Sequence, residues 1–189
     1  APFFNSQKEG KMSFRSYLRG ACFMLLMGLC APALSGDDLT LDSWPQWRGP
    51  NRDGSLTGTK LPDSIAENRL KQIWRVELGP SYSGPIVSSD RVFVTETRDN
   101  KTEVVRALDR KTGTELWKQA WPGELAVPFF AKANGDWIRA TPAFDGERLY
   151  VAGMRDVLVC LDAASGKELW RLDFVQKLGT VPPTFGFAS

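Results

Sequence analysis

The sequence predicts an all-β fold built from repeated units of four antiparallel strands. The stretch from Ala107 to Trp117 recurs from Cys160 to Trp170, with Leu, Asp, Gly, Glu, Leu and Trp at matching positions. Self-similarity at a spacing of about 50 residues is the signature of a repeat architecture. The chain also has seven Trp and frequent Gly and Pro residues. That composition favours many short strands separated by turns over helices.

Each copy predicts a β-hairpin followed by a Trp. An apolar strand ends in an Asp, whose side-chain oxygen is expected to accept hydrogen bonds from the turn. A Gly in the turn can adopt positive φ and let the loop close with a bulge. The next strand is expected to end at the Trp, which should dock on a neighbouring unit because a lone hairpin cannot bury its apolar face. The predicted docking motif is Asp109, Gly113 and Trp117, then Asp162, Gly166 and Trp170.

A longer unit surrounds each hairpin. A Pro-containing strand, a turn and an apolar strand come first, at 83–95 and again at 140–152. The first copy carries a short insertion around 99–102. With the hairpin, this makes four strands per unit. The predicted units span about 82–121 and 138–174, and a third is expected to begin at 185–189.

The N-terminal residues predict export. Residues 12–35 resemble a signal peptide, with Met12 as the start, Arg15 in a basic region, an apolar run at 21–29 and small residues near a cleavage site at 31–35. Residues 1–11 are interpreted as non-native upstream sequence. An anchor helix at 12–35 is the alternative, although the apolar run is shorter than the roughly 20 residues that span a bilayer. We therefore expect a periplasmic or secreted protein with no transmembrane segment after cleavage.

Three segments outside the repeats also carry predictions. Residues 36–69 form a Trp-, Pro- and Gly-rich segment, expected to pack over the fold through the indoles of Trp44 and Trp47. Stacking of either indole on a ligand is the alternative. Residues 72–78 alternate apolar and polar, which predicts a strand that closes the ring by joining the last unit. The 123–136 loop is either a channel-lining excursion or a surface lid.

Composition excludes several kinds of site. There are 24 Lys and Arg against 22 Asp and Glu, so charge gives no reason to expect nucleic acid. The chain has no His, which excludes within it a Ser-His-Asp triad and any His-ligated metal. After signal cleavage Cys160 is the one remaining Cys. Its apolar strand favours an inert core thiol over a nucleophile.

The four-stranded units resemble blades of a β-propeller. The stretch Ala107-Leu108-Asp109, Thr112-Gly113 and Trp117 resembles the tryptophan-docking motif of PQQ-type propellers. Those propellers include quinoprotein alcohol dehydrogenases and non-catalytic relatives. The opening from Trp44 to Gly54 resembles secreted, planctomycete-type members. The resemblance covers about 44–189 and implies a partial propeller of PQQ-like repeats, 70–189, from the N-terminal part of a longer bacterial protein.

The resemblance implies two function classes. The first is an exported binding or scaffolding propeller without a catalytic site in this part. Its partners would be the remaining blades and a protein or small-molecule ligand. The alternative is the N-terminal part of a PQQ-dependent dehydrogenase, and under that alternative alone are PQQ and Ca²⁺ expected. No catalytic or metal-binding residue is predicted in this part. Candidates for a central channel lie at or before the first strands of the units, namely Tyr82, Ser83, Trp137, Arg139 and Thr141.

Overall fold

A computed structural model describes residues 43–56, 64, 66 and 71–188. The predictions for residues 1–11 and for the signal peptide at 12–35 lie outside the described residues. The described part contains two four-stranded antiparallel sheets, each with its strands side by side in chain order. The first sheet consists of β1 (Ile86–Val87), β2 (Arg91–Arg98), β3 (Thr102–Asp109) and β4 (Glu115–Pro122). The second consists of β5 (Ala143–Phe144), β6 (Arg148–Gly153), β7 (Val157–Asp162) and β8 (Glu168–Asp173). The predicted unit of four antiparallel strands is confirmed.

The insertion in the first unit lengthens one hairpin. Strands β2 and β3 have 8 residues each, whereas β6 and β7 have 6 each. Every residue of β2 is paired, from Arg91 opposite Asp109 to Arg98 opposite Thr102. The added residues therefore extend the ladder at the end that carries the β2–β3 turn. The rest of the unit keeps the same plan.

The main hydrophobic core lies between the two sheets. The cluster joins Ile86, Phe93 and Val105 of the first sheet to Leu149, Val151 and Val159 of the second. The Phe93 ring lies 5.5 Å from the Phe144 ring and 5.9 Å from the Trp117 ring, measured between centroids. Burying apolar area is worth about 25 cal/mol per Å². A single sheet would expose these apolar side chains to solvent, and the packing of the two sheets buries them.

The structure corrects one prediction about the repeat and leaves two predictions about other segments untested. Residues 72–78 are extended and pair with no strand among the described residues, so their pairing with the last unit of the ring stays a prediction. Each repeat Trp lies near the start of its strand and not at the end, since β4 and β8 continue past Trp117 and Trp170. Residues 185–188, where a third unit was expected to begin, contain no strand, and Ser189 is not described.

Two short helices were not predicted. A 3₁₀ helix at Phe129–Asn134 lies within the 123–136 loop, and a helix α1 at Phe174–Leu178 follows β8. The α1 helix is capped by Asp173, whose side chain accepts a hydrogen bond from the Gln176 N–H at 2.9 Å. Among the described residues, no helix is long and apolar enough to cross a membrane.

Candidate functional site: the blade junction and the loop rim

The two hairpin turns have the same hydrogen bonds. The Asp109 carboxylate accepts from the Thr112 N–H at 2.8 Å and from the Thr112 hydroxyl at 2.9 Å. The Asp162 carboxylate accepts from the Ser165 N–H at 2.7 Å and from the Ser165 hydroxyl at 2.6 Å. Bonds to the charged form favour it. The pKa of Asp109 is therefore lowered, chiefly by the Thr112 N–H, and that of Asp162 chiefly by the Ser165 hydroxyl.

The Gly in each turn leaves room for an indole from elsewhere in the chain. Gly166 has φ +74°, and a Cβ there would lie 2.6 Å from the Trp117 ring. The Trp117 ring N–H donates to the Ala163 carbonyl at 3.0 Å. Trp117 thus joins the first sheet to the turn of the second through both its ring face and its N–H.

The same arrangement occurs at the first turn. Gly113 has φ +72°, and a Cβ there would lie 2.8 Å from the Trp74 ring. The Trp74 ring N–H donates to the Arg110 carbonyl at 2.9 Å. Trp74 therefore makes the same two contacts with the first turn that Trp117 makes with the second, although Trp74 does not lie in a strand.

Trp170 is the third indole of this series and is more open. Its side chain is 44% exposed and its ring lies 6.1 Å from the Tyr150 ring. Within the described residues, no Gly turn covers it. The outer face of the second sheet thus has no counterpart of the contact that Trp117 makes.

Three of the five channel candidates form one cluster at the loop rim, the region just before β1 and β5. The Tyr82 and Trp137 rings lie 5.4 Å apart at 30°. The Arg139 guanidinium carbon lies 5.0 Å from the centre of the Tyr82 ring, a cation–π distance. The Tyr82 N–H donates to the Ile138 carbonyl at 2.9 Å, which ties the two strand entries together. Tyr82 is nevertheless 48% exposed, so the cluster presents an aromatic face to solvent.

Arg139 is held from the loop side. Its Nη2 donates to the Gly135 carbonyl at 2.7 Å, whereas its Nε is buried and has no hydrogen-bond partner among the described residues. A Cβ at Gly135 would lie 2.5 Å from the Trp137 ring, so the loop packs closely on that indole. The 123–136 loop therefore supports the rim cluster.

The other two channel candidates have different surroundings. The Thr141 hydroxyl oxygen accepts from the Gly84 N–H at 3.3 Å, which places Thr141 beside the cluster. Ser83 instead shares a 2.6 Å hydrogen bond with the Thr95 hydroxyl of β2. It lines a cavity of about 340 Å³ together with Trp74, Val94 and Leu108. Ser83 is thus not part of the aromatic cluster.

Two buried carboxylates were missed by the sequence analysis. Glu103 is fully buried at the junction of the sheets, where it accepts from the Trp121 ring N–H at 2.7 Å and from the Met154 N–H at 2.6 Å. Burial raises the pKa of Glu103 to about 7, against the opposing effect of the two donors. Glu96, 1% exposed, accepts from the Gly79 N–H at 2.6 Å and pairs with Arg98. The sequence did contain a signal for their burial. Along each strand, the Glu lies an even number of residues from buried apolar residues, so its side chain points to the same face of the sheet.

Cys160 lies in the core, and the acidic residues of the described ranges form no cluster of metal ligands. Cys160 is fully buried in β7, and burial raises the pKa of its thiol, which disfavours the nucleophilic thiolate. In those ranges, no group of three or more Cys, Asp or Glu residues lies close enough together to hold a metal ion.

The geometry defines the class of protein. Two consecutive sheets of four antiparallel strands pack face to face, and each runs from a short first strand outward to a fourth strand whose Trp is directed at a turn or at solvent. These are consecutive blades of a β-propeller. The described residues contain two blades.

Comparison with known proteins identifies the type of blade. Residues 101–185 match the model of a PQQ-like repeat family described as "Outer membrane protein assembly factor BamB". Residues 101–185 therefore resemble PQQ-like β-propeller repeats.

Two curated proteins are similar in sequence to this chain over part of their length. An outer membrane protein assembly factor BamB from Moranella endobia (strain PCIT) is 27% identical over 60% of this chain and 30% of its own length. An uncharacterized protein of Rickettsia prowazekii (strain Madrid E) is 30% identical over 62% of this chain and 29% of its own. The chain thus spans less than a third of the curated relatives that it matches.

Two solved structures are also similar. A europium-containing methanol dehydrogenase is 22% identical, with a TM-score of 0.47 over 70% of this chain and 24% of its own. BamB from Moraxella catarrhalis is 24% identical, with a TM-score of 0.40 over 53% of this chain and 26% of its own.

Proposed function

We propose that the protein is an exported β-propeller that acts as a binding or scaffolding module. One observation carries the proposal: the rim cluster presents Tyr82, 48% exposed, whose N–H is bonded to the Ile138 carbonyl, beside an Arg139 side chain that is bonded to the Gly135 carbonyl. Tyr and Arg are among the residue types enriched at the energetically dominant positions of binding interfaces. The name of the Moranella endobia relative, an assembly factor, supports the same class.

The docking motif has a structural role in this proposal. Asp109 and Asp162 hold their turns, and the indoles of Trp74 and Trp117 occupy the space above Gly113 and Gly166. The exposed Trp170 is the corresponding group for a further blade. The remaining blades of a longer chain are therefore the first partners of this part. Export through a signal at 12–35 would place the ring in the periplasm or outside the cell.

Site-specific crosslinking in the full-length protein tests the proposal. A photoreactive Phe analogue replaces Tyr82, and the matched control carries it at Lys118, which is exposed on β4. We expect a discrete crosslinked partner from Tyr82 and none from Lys118, and Arg139→Ala should weaken the crosslink. Equal labelling from both positions would contradict a binding role for the rim.

The dehydrogenase alternative has a direct assay. PQQ and Ca²⁺ are added to the purified full-length protein, and the quinone absorption band and the reduction of an electron-accepting dye by an alcohol are followed. The binding-module proposal predicts neither signal. A saturable quinone band together with alcohol-dependent dye reduction would establish the alternative instead.

A further inference from the structure

A second pocket lies beside the rim, outside the aromatic cluster. It encloses about 310 Å³ between the 44–54 segment and the entry to β5, and it is lined by Gln46, Trp47, Arg52, Thr141, Pro142 and Ala143. The Trp47 side chain is 48% exposed. About half of the Trp47 side chain is therefore open to solvent beside Pro142 and Ala143. The Trp44 ring packs on Gly49 of the same segment, where it would lie 2.8 Å from a Cβ.

The backbone beneath the pocket is fixed to both blades. Trp44 pairs with Val87 of β1 in an antiparallel bridge, with N–O distances of 2.7 and 2.9 Å. The Phe144 N–H of β5 donates to the Pro45 carbonyl at 2.8 Å. Trp47 follows directly on this anchored stretch, so its indole is offered to solvent from a rigid support.

The polar groups of the pocket are also held in place. The Gln46 amide oxygen accepts from Arg52 Nε at 3.0 Å, and its amide nitrogen donates to the Pro50 carbonyl at 3.0 Å. The Arg52 Nε bond leaves the terminal nitrogens of that guanidinium available to a ligand. The Arg48 guanidinium carbon lies 5.3 Å from the centre of the Trp47 ring and adds a second positive charge.

The backbone conformation of Arg48 and Arg52 costs free energy. Arg48 and Arg52 have φ of 61° and 59°, a region that costs a non-Gly residue roughly 1 kcal/mol. Gly would remove that cost at either position, as it does at the neighbouring Gly49 and Gly54. Strained residues of this kind cluster at ligand sites, where their side chains are needed.

We propose that this pocket binds one residue of an acidic saccharide, a sugar that carries a carboxylate. The proposal rests on the proposed function, because Thr141 belongs both to the rim and to this pocket. The Trp47 ring face accommodates the apolar face of a pyranose. The Arg52 fork matches a carboxylate in two parallel bonds, as guanidinium groups do. Gln46 and Thr141 supply an amide and a hydroxyl for ring hydroxyls. The volume lies at the small end of the range for ligand pockets, about 300–1,000 Å³, and suits one sugar ring.

Calorimetric titration of the full-length protein tests the proposal with three probes of matched length. These are a galacturonate hexamer, the neutral maltohexaose and a glutamate hexapeptide. The acidic sugar provides both the ring and the carboxylate, the neutral sugar only the ring, and the peptide only the carboxylates. We expect the galacturonate hexamer to bind at least about tenfold more tightly than either of the others, a factor that corresponds to about 1.4 kcal/mol.

Variants separate the two contacts. Trp47→Ala should weaken galacturonate binding by at least about tenfold, and Arg52→Gln should weaken it by a similar factor while leaving maltohexaose binding unchanged. Phe129→Ala is the matched control, since Phe129 is 84% exposed and outside the pocket. The Tyr82 crosslink should survive Trp47→Ala, which distinguishes failure of the saccharide site from failure of the binding role of the rim.

Three outcomes would overturn the proposal. One is no measurable binding of the galacturonate hexamer. Another is equal or tighter binding of the glutamate hexapeptide, which would assign the pocket to acidic peptides. The last is galacturonate binding that Trp47→Ala leaves intact, which would place the sugar elsewhere on the protein.

Discussion

The substitution Gly166→Ala should destabilise the protein through the junction between its two blades. A Cβ at Gly166 would lie 2.6 Å from the Trp117 ring, well inside van der Waals contact, and the backbone there has φ +74°. The indole would have to move, and its N–H would lose the 3.0 Å hydrogen bond to the Ala163 carbonyl. Backbone strain costs about 1 kcal/mol. The lost hydrogen bond costs about 1 kcal/mol more. Repacking of the ring adds a further ~1 kcal/mol or more. The free energy of unfolding should therefore fall by roughly 3 kcal/mol.

Two other glycines separate these contributions. Gly179 has φ +66° and open space where a Cβ would lie, with no atom within 4 Å, so Gly179→Ala reports the backbone strain alone. Gly84 has no atom within 4 Å and no positive φ, so Gly84→Ala should be close to neutral. Urea unfolding of the full-length variants, followed by circular dichroism, gives the three free energies. A Gly166→Ala loss within about 0.5 kcal/mol of that of Gly179→Ala would refute the role assigned to Trp117, since additive backbone effects would then explain the whole change.

Two further predictions concern the indoles and the buried carboxylate. Trp117→Ala should lower the free energy of unfolding by about 3–5 kcal/mol. In the isolated chain, Trp170→Ala should lower it less, because that side chain is already 44% exposed. Urea unfolding compares the two variants, and equal losses would contradict the difference in burial. The pKa of Glu103 is raised to about 7 by burial. Because the pKa of Glu103 is raised, the folded state holds this proton at pH values where the unfolded chain has lost it. The contribution of Glu103 to the free energy of unfolding is therefore complete below the pKa of the unfolded chain, near 4.5, and is lost as the pH rises through about 7. The loss is on the order of 3 kcal/mol. Glu103→Gln should abolish this dependence of the free energy of unfolding on pH. Asp90→Asn, which removes an exposed carboxyl, is the control. If the dependence survives in Glu103→Gln, it belongs to another group.

Turns were predictable from the sequence because their contacts are local. Asp109 binds groups two and three residues further along the chain, and Asp162 binds groups three residues further along. Such bonds follow from residue type and spacing alone. The four-stranded unit was predictable for a related reason, since each strand pairs with the next one along the chain.

The strand expected at 72–78 shows what local reasoning leaves open. The alternation of residues 72–78 is real, and Trp74 packs on Gly113 as the repeat predicts. A strand also needs a neighbour for its backbone groups, and no described segment provides one. Alternation reports which side chains are buried, and the ladder depends on chain that is distant in sequence.

The candidate site was only partly predictable. Each of Tyr82, Trp137 and Arg139 was recognised from its place before a first strand, yet their contact depends on how two blades pack. Ser83 was grouped with them and instead bonds to Thr95. Trp47 was expected to pack on the fold, because an indole is costly to expose, and its side chain is 48% exposed.

The sequence by itself determined the repeat, the turn chemistry and the presence of an indole that needs a partner. These depend on residue type, on spacing and on the cost of leaving apolar surface in water. Only the tertiary structure decided that Glu103 is buried between two blades with Met154 and Trp121 as donors, and that Trp117 covers Gly166 while Trp47 faces solvent. Those outcomes join residues that are far apart in the chain, and they are set by the packing of one sheet on another, for which no single stretch of sequence carries the information.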